Sequence, residues 1–349
     1  MSNYDQFAAA VKEISGGKNI VLLDDLGLPS VYVPINKLKN SEIISGGSEN
    51  THPAFSVDGV EKSRFLYSKY QNIVINGRAY SLSHRAPKTY VNFDQARQAC
   101  EAKGAGFHLG TLAEWAAVAL LTRKMGTMPH GNNNYGGDSA YTYEKGQESA
   151  KDNNKTGRTF TGSGPATWGH DHTQFGIQDM NGNVWEWLGG MRLNEGEIQI
   201  IPYNNAALGS ECDMSASSTL WKAIKNDGSL VAPGTAATLK YDFVSGNIQL
   251  TTGITSAQDA GRGGSYTAMT LASGVTAPEL AKALILYPDE PGKDYGGDYH
   301  WMNNSGERLP IAGGYWLNGA DAGVFGLYLA GARSISNGHV GFRSAYVEL

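Results

Sequence analysis

The chain carries 45 glycines in 349 residues, about twice the ~7% usual in globular proteins. Glycine tolerates left-handed backbone but weakens the interiors of helices and strands. A sequence this rich in it folds into turns and irregular loops with few long regular elements. Such loops have to be held by packed aromatics and internal hydrogen bonds, because buried backbone polar groups need partners. The apolar share of 41%, with 18 Tyr, 10 Phe and 7 Trp, is enough for that and for the core of one large domain or two ordinary ones.

Charge excludes some partners. Charged residues make up 17% of the chain, the net charge is −5, and the basic residues form no block. A nucleic-acid backbone would meet no electrostatic footprint here. Residues 1–14 lack a basic start followed by an apolar run, so no signal peptide is expected. No stretch approaches the ~20 apolar residues that span a bilayer. The two cysteines, Cys100 and Cys212, are far apart and lack metal-ligand spacing; Cys100 falls on a helical pattern and is expected to be a small buried apolar residue.

Along the chain, Tyr4, Phe7, Ala8, Val11 and Ile14 share one face of a helix over residues 3–15, capped by Asn3 and stopped by Gly16. That face needs a partner, either its own domain or an assembly, so residues 1–44 are expected to hold this helix, two strands and a possible attachment segment. "NIVLLDD" and "SVYVPI" read as strands, and "NIVINGRAYSL" as a hairpin around Asn76-Gly77. Asn92 caps a helix that buries Phe93, Ala96 and Cys100 and ends at Gly104. Thr111 and Glu114 form a capping box for a second helix, which buries Leu112, Trp115, Ala119 and Leu120. Beyond Gly126 helical periodicity fades, with short strand-like pieces such as "EIQII" and "NIQLTT". Residues 203–300 read as a long insertion on the core.

"FGIQDMNGNVWEW", Phe175 to Trp187, resembles the signature of the formylglycine-generating-enzyme fold, a relative of the C-type lectin fold. Three further stretches match in order: "VNFDQARQACEAKGAGFHLGTLAEWAAVAL" resembles its two-helix segment, "IAGGYW" its "RGGSW", and "ARSISNGHVGFRSA" its closing "GFR" strand. The resemblance spans residues 45–349 and implies an α+β fold, irregular and loop-rich, with two helices packed on small antiparallel sheets. Trp185 and Trp187, two apart on a strand, are expected in the core with Glu186 on the other face. In some members of this fold a structural calcium is held at the corresponding turn, which makes Asn183 and Glu186 candidate calcium ligands; an Asn-rich turn satisfied by its own backbone is the alternative. No other cofactor is called for.

Enzymes of that fold use a cysteine pair near the closing strand or a histidine cluster holding iron. Here the cysteine positions hold Phe325 and Ala330, which can neither bind copper nor form a thiolate. None of the eight histidines has the iron-binding spacing, and His170 and His172 in "WGHDHTQFG" are expected to be a hydrogen-bonding cluster of a loop. No phosphate loop or nucleophile elbow is present. The scaffold is therefore expected without its catalysis, since a fold does not fix a function.

The segment "GGYWLNGADAGVFGLYLAGARSISNGHVGFRSA" resembles the variable region of proteins diversified by a retroelement, the phage tropism-determinant type. In that family adenine-directed mutagenesis strikes AAC codons while constant residues between them hold the fold. The resemblance leaves eleven slots within residues 313–349: Leu317, Asn318, Asp321, Gly326, Tyr328, Ala330, Gly331, Ile335, Asn337, Gly338 and His339. All eleven residue types are reachable from AAC through its two adenines, a test that excludes only Glu, Gln, Lys, Met and Trp. In "VFGLYLAGAR", Phe325, Leu327 and Leu329 alternate with the slots Gly326, Tyr328 and Ala330, so period 2 sends the first set to the core and the second outward.

Upstream stretches such as "GTMPHGNNNYG" and "RTFTGSGPATWGHDHT" resemble proteins carried by bacteriophages. The expectation is a non-enzymatic receptor-binding protein of a phage tail, assembled in the host cytoplasm, that meets a variable protein or glycan ligand on a bacterial surface. Other virion proteins or a second copy are further candidate partners. An oxidase or oxygenase of the formylglycine-generating-enzyme superfamily and a virion structural protein are the competing readings.

Overall fold

The computed structural model describes residues 3–349. Its core is organised by the helix Leu112–Met125, which begins at the expected capping box: Thr111 Oγ1 accepts from the Glu114 amide at 3.1 Å, and Glu114 Oε2 accepts from the Thr111 amide at 3.0 Å. Gly126, at φ 71°, ends the helix in left-handed backbone. Every residue from Leu112 to Leu120 is buried, so the helix is enclosed all round rather than along one stripe. Glu114 tolerates that burial because its other oxygen meets His108 Nε2 at 2.8 Å and Asn204 Nδ2 at 3.2 Å.

Trp115 is the hub of this core. It is fully buried, and its indole N–H donates to the Val324 carbonyl at 2.7 Å. Against its ring lies Gly313 of "IAGGYW", at φ 92°, where a Cβ would stand 2.8 Å from the Met180 carbonyl and 3.1 Å from the Trp115 ring. Only glycine fits that approach. The second expected helix, Phe93–Glu101, is capped by Asn92 and buries Phe93, Ala96 and Cys100.

Two sheets flank the long helix. The first runs Ile20–Leu23, Pro29–Asn36, Arg64–Ser68, Ser344–Tyr346, Phe107–Leu109, all antiparallel. The chain's last strand is thus inserted between two early ones, and the strands of residues 20–36 are part of the main body rather than of a separate segment ending at 44. The N-terminal helix Asn3–Ile14 lies against the strand Ile20–Leu23. None of its residues is buried, and Tyr4, Phe7 and Ile14 are exposed.

The second sheet has six strands in the order Arg262–Ser265, Tyr299–Met302, Leu327–Leu329, Ile311–Ala312, Trp185–Trp187, Val340–Phe342. Two of its pairings are parallel, Tyr299–Met302 with Leu327–Leu329 and Trp185–Trp187 with Val340–Phe342. The sheet is therefore mixed where small antiparallel sheets were expected. A third, eight-stranded sheet is built from residues 191–308. Residues 203–300 are no loose loop: Ile224, Leu239, Tyr241, Ile248, Leu250 and Tyr266 join the same core as Trp115.

Trp115→Ala is expected to destabilise the fold by about 3–5 kcal/mol, the range for deleting a fully buried large aromatic. Chemical denaturation checks it; a loss under about 1 kcal/mol would show that the core does not depend on this ring.

Candidate functional site

On the six-stranded sheet, cross-strand register sets which side chains meet. Trp301 is paired with Tyr328, Tyr328 with Ile311, Ile311 with Trp187, and Trp185 with Val340. Paired residues project to the same face. One face of the sheet is thus a row of aromatic and aliphatic side chains. The opposite face carries Leu327, Leu329 and Ala312 into the core with Phe325, each of them buried. The alternation in "VFGLYL" therefore has the expected sense: Phe325 is stacked on Tyr266 and packed edge-on by Tyr295, while Tyr328 is half-buried on the other side.

Above the aromatic row the chain leaves a cleft of about 240 Å³. Trp185, Trp301, Ile311, Tyr315 and Val340 form its fixed lining, and five of the eleven slots complete it: Asn318, Tyr328, Ile335, Asn337 and His339. The rings are in contact, Trp185 with Trp301 at 5.6 Å and with Tyr328 at 6.0 Å between centroids. His339 stacks on Tyr315 at 4.5 Å. Burial holds the His339 imidazole below its ordinary pKa against the pull of Asp152, so the ring is neutral at pH 7 and the cleft lining carries no formal charge.

Residues outside the eleven slots hold the loop that bears them. Arg333 reaches Asp94 at 2.9 Å, Glu307 at 3.0 Å and the Met214 carbonyl at 2.9 Å, and its guanidinium lies over the Phe93 ring. The Tyr90 amide donates to the Asn337 carbonyl, and the Trp185 amide to the His339 carbonyl. The backbone of the slots is thereby tied down, and two slot side chains add local bonds, Asn318 Oδ1 accepting from the Tyr315 amide at 2.9 Å and Asn337 Oδ1 from the His339 amide at 3.3 Å.

The other six slots divide. Leu317 is exposed and Asp321 half-buried, both near the cleft's edge in sequence but outside its lining. A side chain at Gly331 would touch Ile335 and Tyr328, and one at Gly338 would meet the Tyr90 hydroxyl. Gly326 and Ala330 depart from the outward expectation. Both are buried, and a Cβ at Gly326 would sit 3.0 Å from the Gly323 carbonyl, whose turn it closes.

The Asn183 and Glu186 side chains are committed to the protein. Asn183, at φ 62°, accepts from the Thr159 amide at 2.8 Å and donates to Gln71 Oε1 at 2.8 Å. Both Glu186 oxygens accept from the Arg343 guanidinium, with Gln71 donating a further bond at 3.0 Å. Burial works against charge on Arg343, yet the Glu186 carboxylate holds its pKa above the ordinary value. A calcium ion beside Glu186 would share its oxygens with a buried cation, so these residues do not fit calcium; the turn is satisfied not by its own backbone but by Gln71, Thr159 and Asn132. Glu186 lies on the face opposite Trp185 and Trp187, as expected, paired with Ala312 and buried.

Neither enzymatic device of the fold is assembled. Phe325 and Ala330 are packed apolar residues, and burial raises both thiols, Cys212 to about 11 and Cys100 well above its usual value, away from the thiolate that a nucleophile needs. His170 Nδ1 accepts from the Ile177 amide and His172 Nε2 donates to the Met128 carbonyl, a loop hydrogen-bonding pair as expected. Among the described residues no group of three or more His, Cys, Asp or Glu is arranged to hold a metal ion.

Sequence reasoning missed Trp301, Ile311 and Tyr315; Trp185 is in the core with Trp187, as expected, and also lines the cleft. The density of aromatics in "DYHWM" and "GGYW" was the available signal; the register that brings them beside Tyr328 was not.

The chain belongs to the family of sulfatase-modifying factor enzyme 1-like domains, whose model matches residues 39–270. No curated protein matches it. Among solved structures it is similar to Treponema denticola variable protein 1, at 13% identity and a TM-score of 0.34 over 94% of this chain and 98% of that one. It is also similar to the Major Tropism Determinant P3c Variant, at 10% identity and a TM-score of 0.30 over 94% of this chain and 71% of that one. The family model bears out the formylglycine-generating-enzyme fold expected from the motifs.

Glu186→Ala leaves the Arg343 guanidinium buried without its carboxylate and is expected to cost about 3–5 kcal/mol. Denaturation of the variant checks this, with a chelator control expected to leave the wild-type melting temperature unmoved. A loss under about 1 kcal/mol, or a chelator-sensitive wild type, would contradict the assignment.

Proposed function

We propose that this chain is a non-enzymatic ligand-binding protein whose C-terminal segment is diversified by a retroelement, carried at a phage tail tip or fibre and directed at a bacterial surface. The observation that supports it is the gathering of Asn318, Tyr328, Ile335, Asn337 and His339 in one cleft, while the residues between them serve the core. Diversification needs that separation: side chains that change must not open cavities. Surface replacements cost about ±0.5 kcal/mol, whereas truncating a buried Phe costs about 3–5 kcal/mol. The slot composition, Tyr and His with Asn, Ile and Gly, gives contact area at low rotamer cost, as antibody loops do. Family membership favours the oxidase reading no further, because Phe325 and Ala330 occupy the positions that chemistry would use. No helix among the described residues is long and apolar enough to cross a membrane.

Two variants separate the faces. Tyr328→Ala should lose about 2 kcal/mol of ligand affinity, or ~30-fold, with the melting temperature nearly unchanged. Phe325→Ala should melt the domain. Paired binding to a panel of bacteria and thermal denaturation read both; a Tyr328→Ala variant that unfolds while Phe325→Ala stays folded would invert the faces and sink the proposal. In the genome, a near-copy of the last ~35 codons with AAC at the slots beside a reverse-transcriptase gene is the expected neighbour of a diversified segment.

A further inference from the structure

The seven tryptophans separate into two classes by what their indole N–H groups do. Five donate within the chain: Trp115 to Val324 O, Trp168 to Glu144, Trp187 to Val91 O, Trp221 to Ser215 O and Trp316 to Asp152. Trp185 and Trp301 donate to no group among the described residues, and neither nitrogen is among the sealed, unpartnered polar atoms of the interior. Both line the cleft. Trp185 is only 4% exposed, and a tryptophan buried to that degree ordinarily spends its N–H on a partner. Neither residue belongs to the diversified segment.

Resting on the reading of the cleft as the ligand site, we propose that its fixed floor binds one neutral sugar ring of a glycan, held by Trp185 and Trp301, while the slots select which sugar. Three properties of the cleft point to this class. Its lining carries no formal charge, so an ionised group would be desolvated without a counter-charge. Its volume of about 240 Å³ falls below the ~300–1,000 Å³ of sites for drug-sized molecules, which suits a single ring. Its walls offer aromatic faces together with unspent donors, the two indole N–H groups, the Tyr328 hydroxyl and the Asn337 amide. A purely apolar side chain would cover the rings and strand those donors, at a cost for each. A pyranose ring has C–H faces to lie on the aromatics and oxygens around its rim to accept from the N–H groups, so it satisfies both demands at once. The arrangement needs no calcium, in keeping with the absence of a fitting calcium set at Asn183 and Glu186.

Ligand-observed NMR titration of the full chain with the methyl glycosides of glucose, galactose, mannose and N-acetylglucosamine tests this. At least one is expected to bind at millimolar concentration. Trp301→Phe keeps an aromatic ring and removes the N–H, and should weaken that binding about tenfold with an unchanged melting temperature; Trp187→Phe, which removes an N–H already spent on Val91, should cost stability instead. If none of the four glycosides binds, or if Trp301→Phe binds as wild type, the inference is overturned. Should bacteria still be bound in a Tyr328-dependent way with no glycoside effect, the ligand is a protein and only the sugar assignment falls. Should a glycoside bind while Tyr328→Ala leaves bacterial binding intact, the sugar assignment is supported and the role of the slots falls.

Discussion

A buried ion pair between Glu186 and Arg343 ties the middle of the chain to its end. The two residues are 157 positions apart, yet their side chains meet in bidentate geometry inside the protein, with Arg343 also donating to the carbonyls of Ser68 and Gln178. Paired burial of this kind is stabilising only when the remaining donors are satisfied, and here they are. The pair fixes the strand Trp185–Trp187 beside Val340–Phe342 in parallel register. That register puts Trp185 next to Val340 and places the His339 backbone under the cleft. The site therefore depends on an interaction that touches no ligand.

From that constraint follows a separation of tasks across one sheet. The core face packs Leu327 and Leu329 towards Phe325 and the helix that carries Trp115. The cleft face carries aromatics from Trp185 and Trp301 beside side chains of the segment from Ile311 to Val340. Arg333 and the backbone bonds to Tyr90 and Trp185 anchor the loop that follows Tyr328. A backbone held in this way limits the ordering entropy that a ligand has to overcome.

Local signals made the helices and the two faces of the strand Leu327–Leu329 legible. Asn92, Thr111 with Glu114, and Gly126 mark their elements by chemistry contained within a few residues, and the alternation around Tyr328 needs only period 2. What stayed hidden depends on pairing between distant segments. Trp185 and Trp187 are equivalent by spacing, and only the tertiary structure shows one indole donating to Val91 and the other open to a cleft. Glu186 looked available for calcium because its partner lies at the far end of the chain. Gly326 and Ala330 read as outward by alternation, but close approach of Gly323 and Gly261 covers them, which no pattern in the segment reveals. Residues 203–300 read as an insertion, and their contribution of core strands and of the neighbour strand to Tyr328 came from register alone.

The central claim is that the cleft face can change its side chains without changing the fold. A library randomised at single positions across residues 313–345, sorted for folding by protease resistance before any ligand is applied, measures this directly. Asn318, Tyr328, Ile335, Asn337 and His339 are expected to accept most residue types, while Phe325, Leu327, Leu329, Phe342 and Arg343 accept few. If the five cleft positions prove as intolerant as the core positions, they are structural residues and the separation described here does not exist.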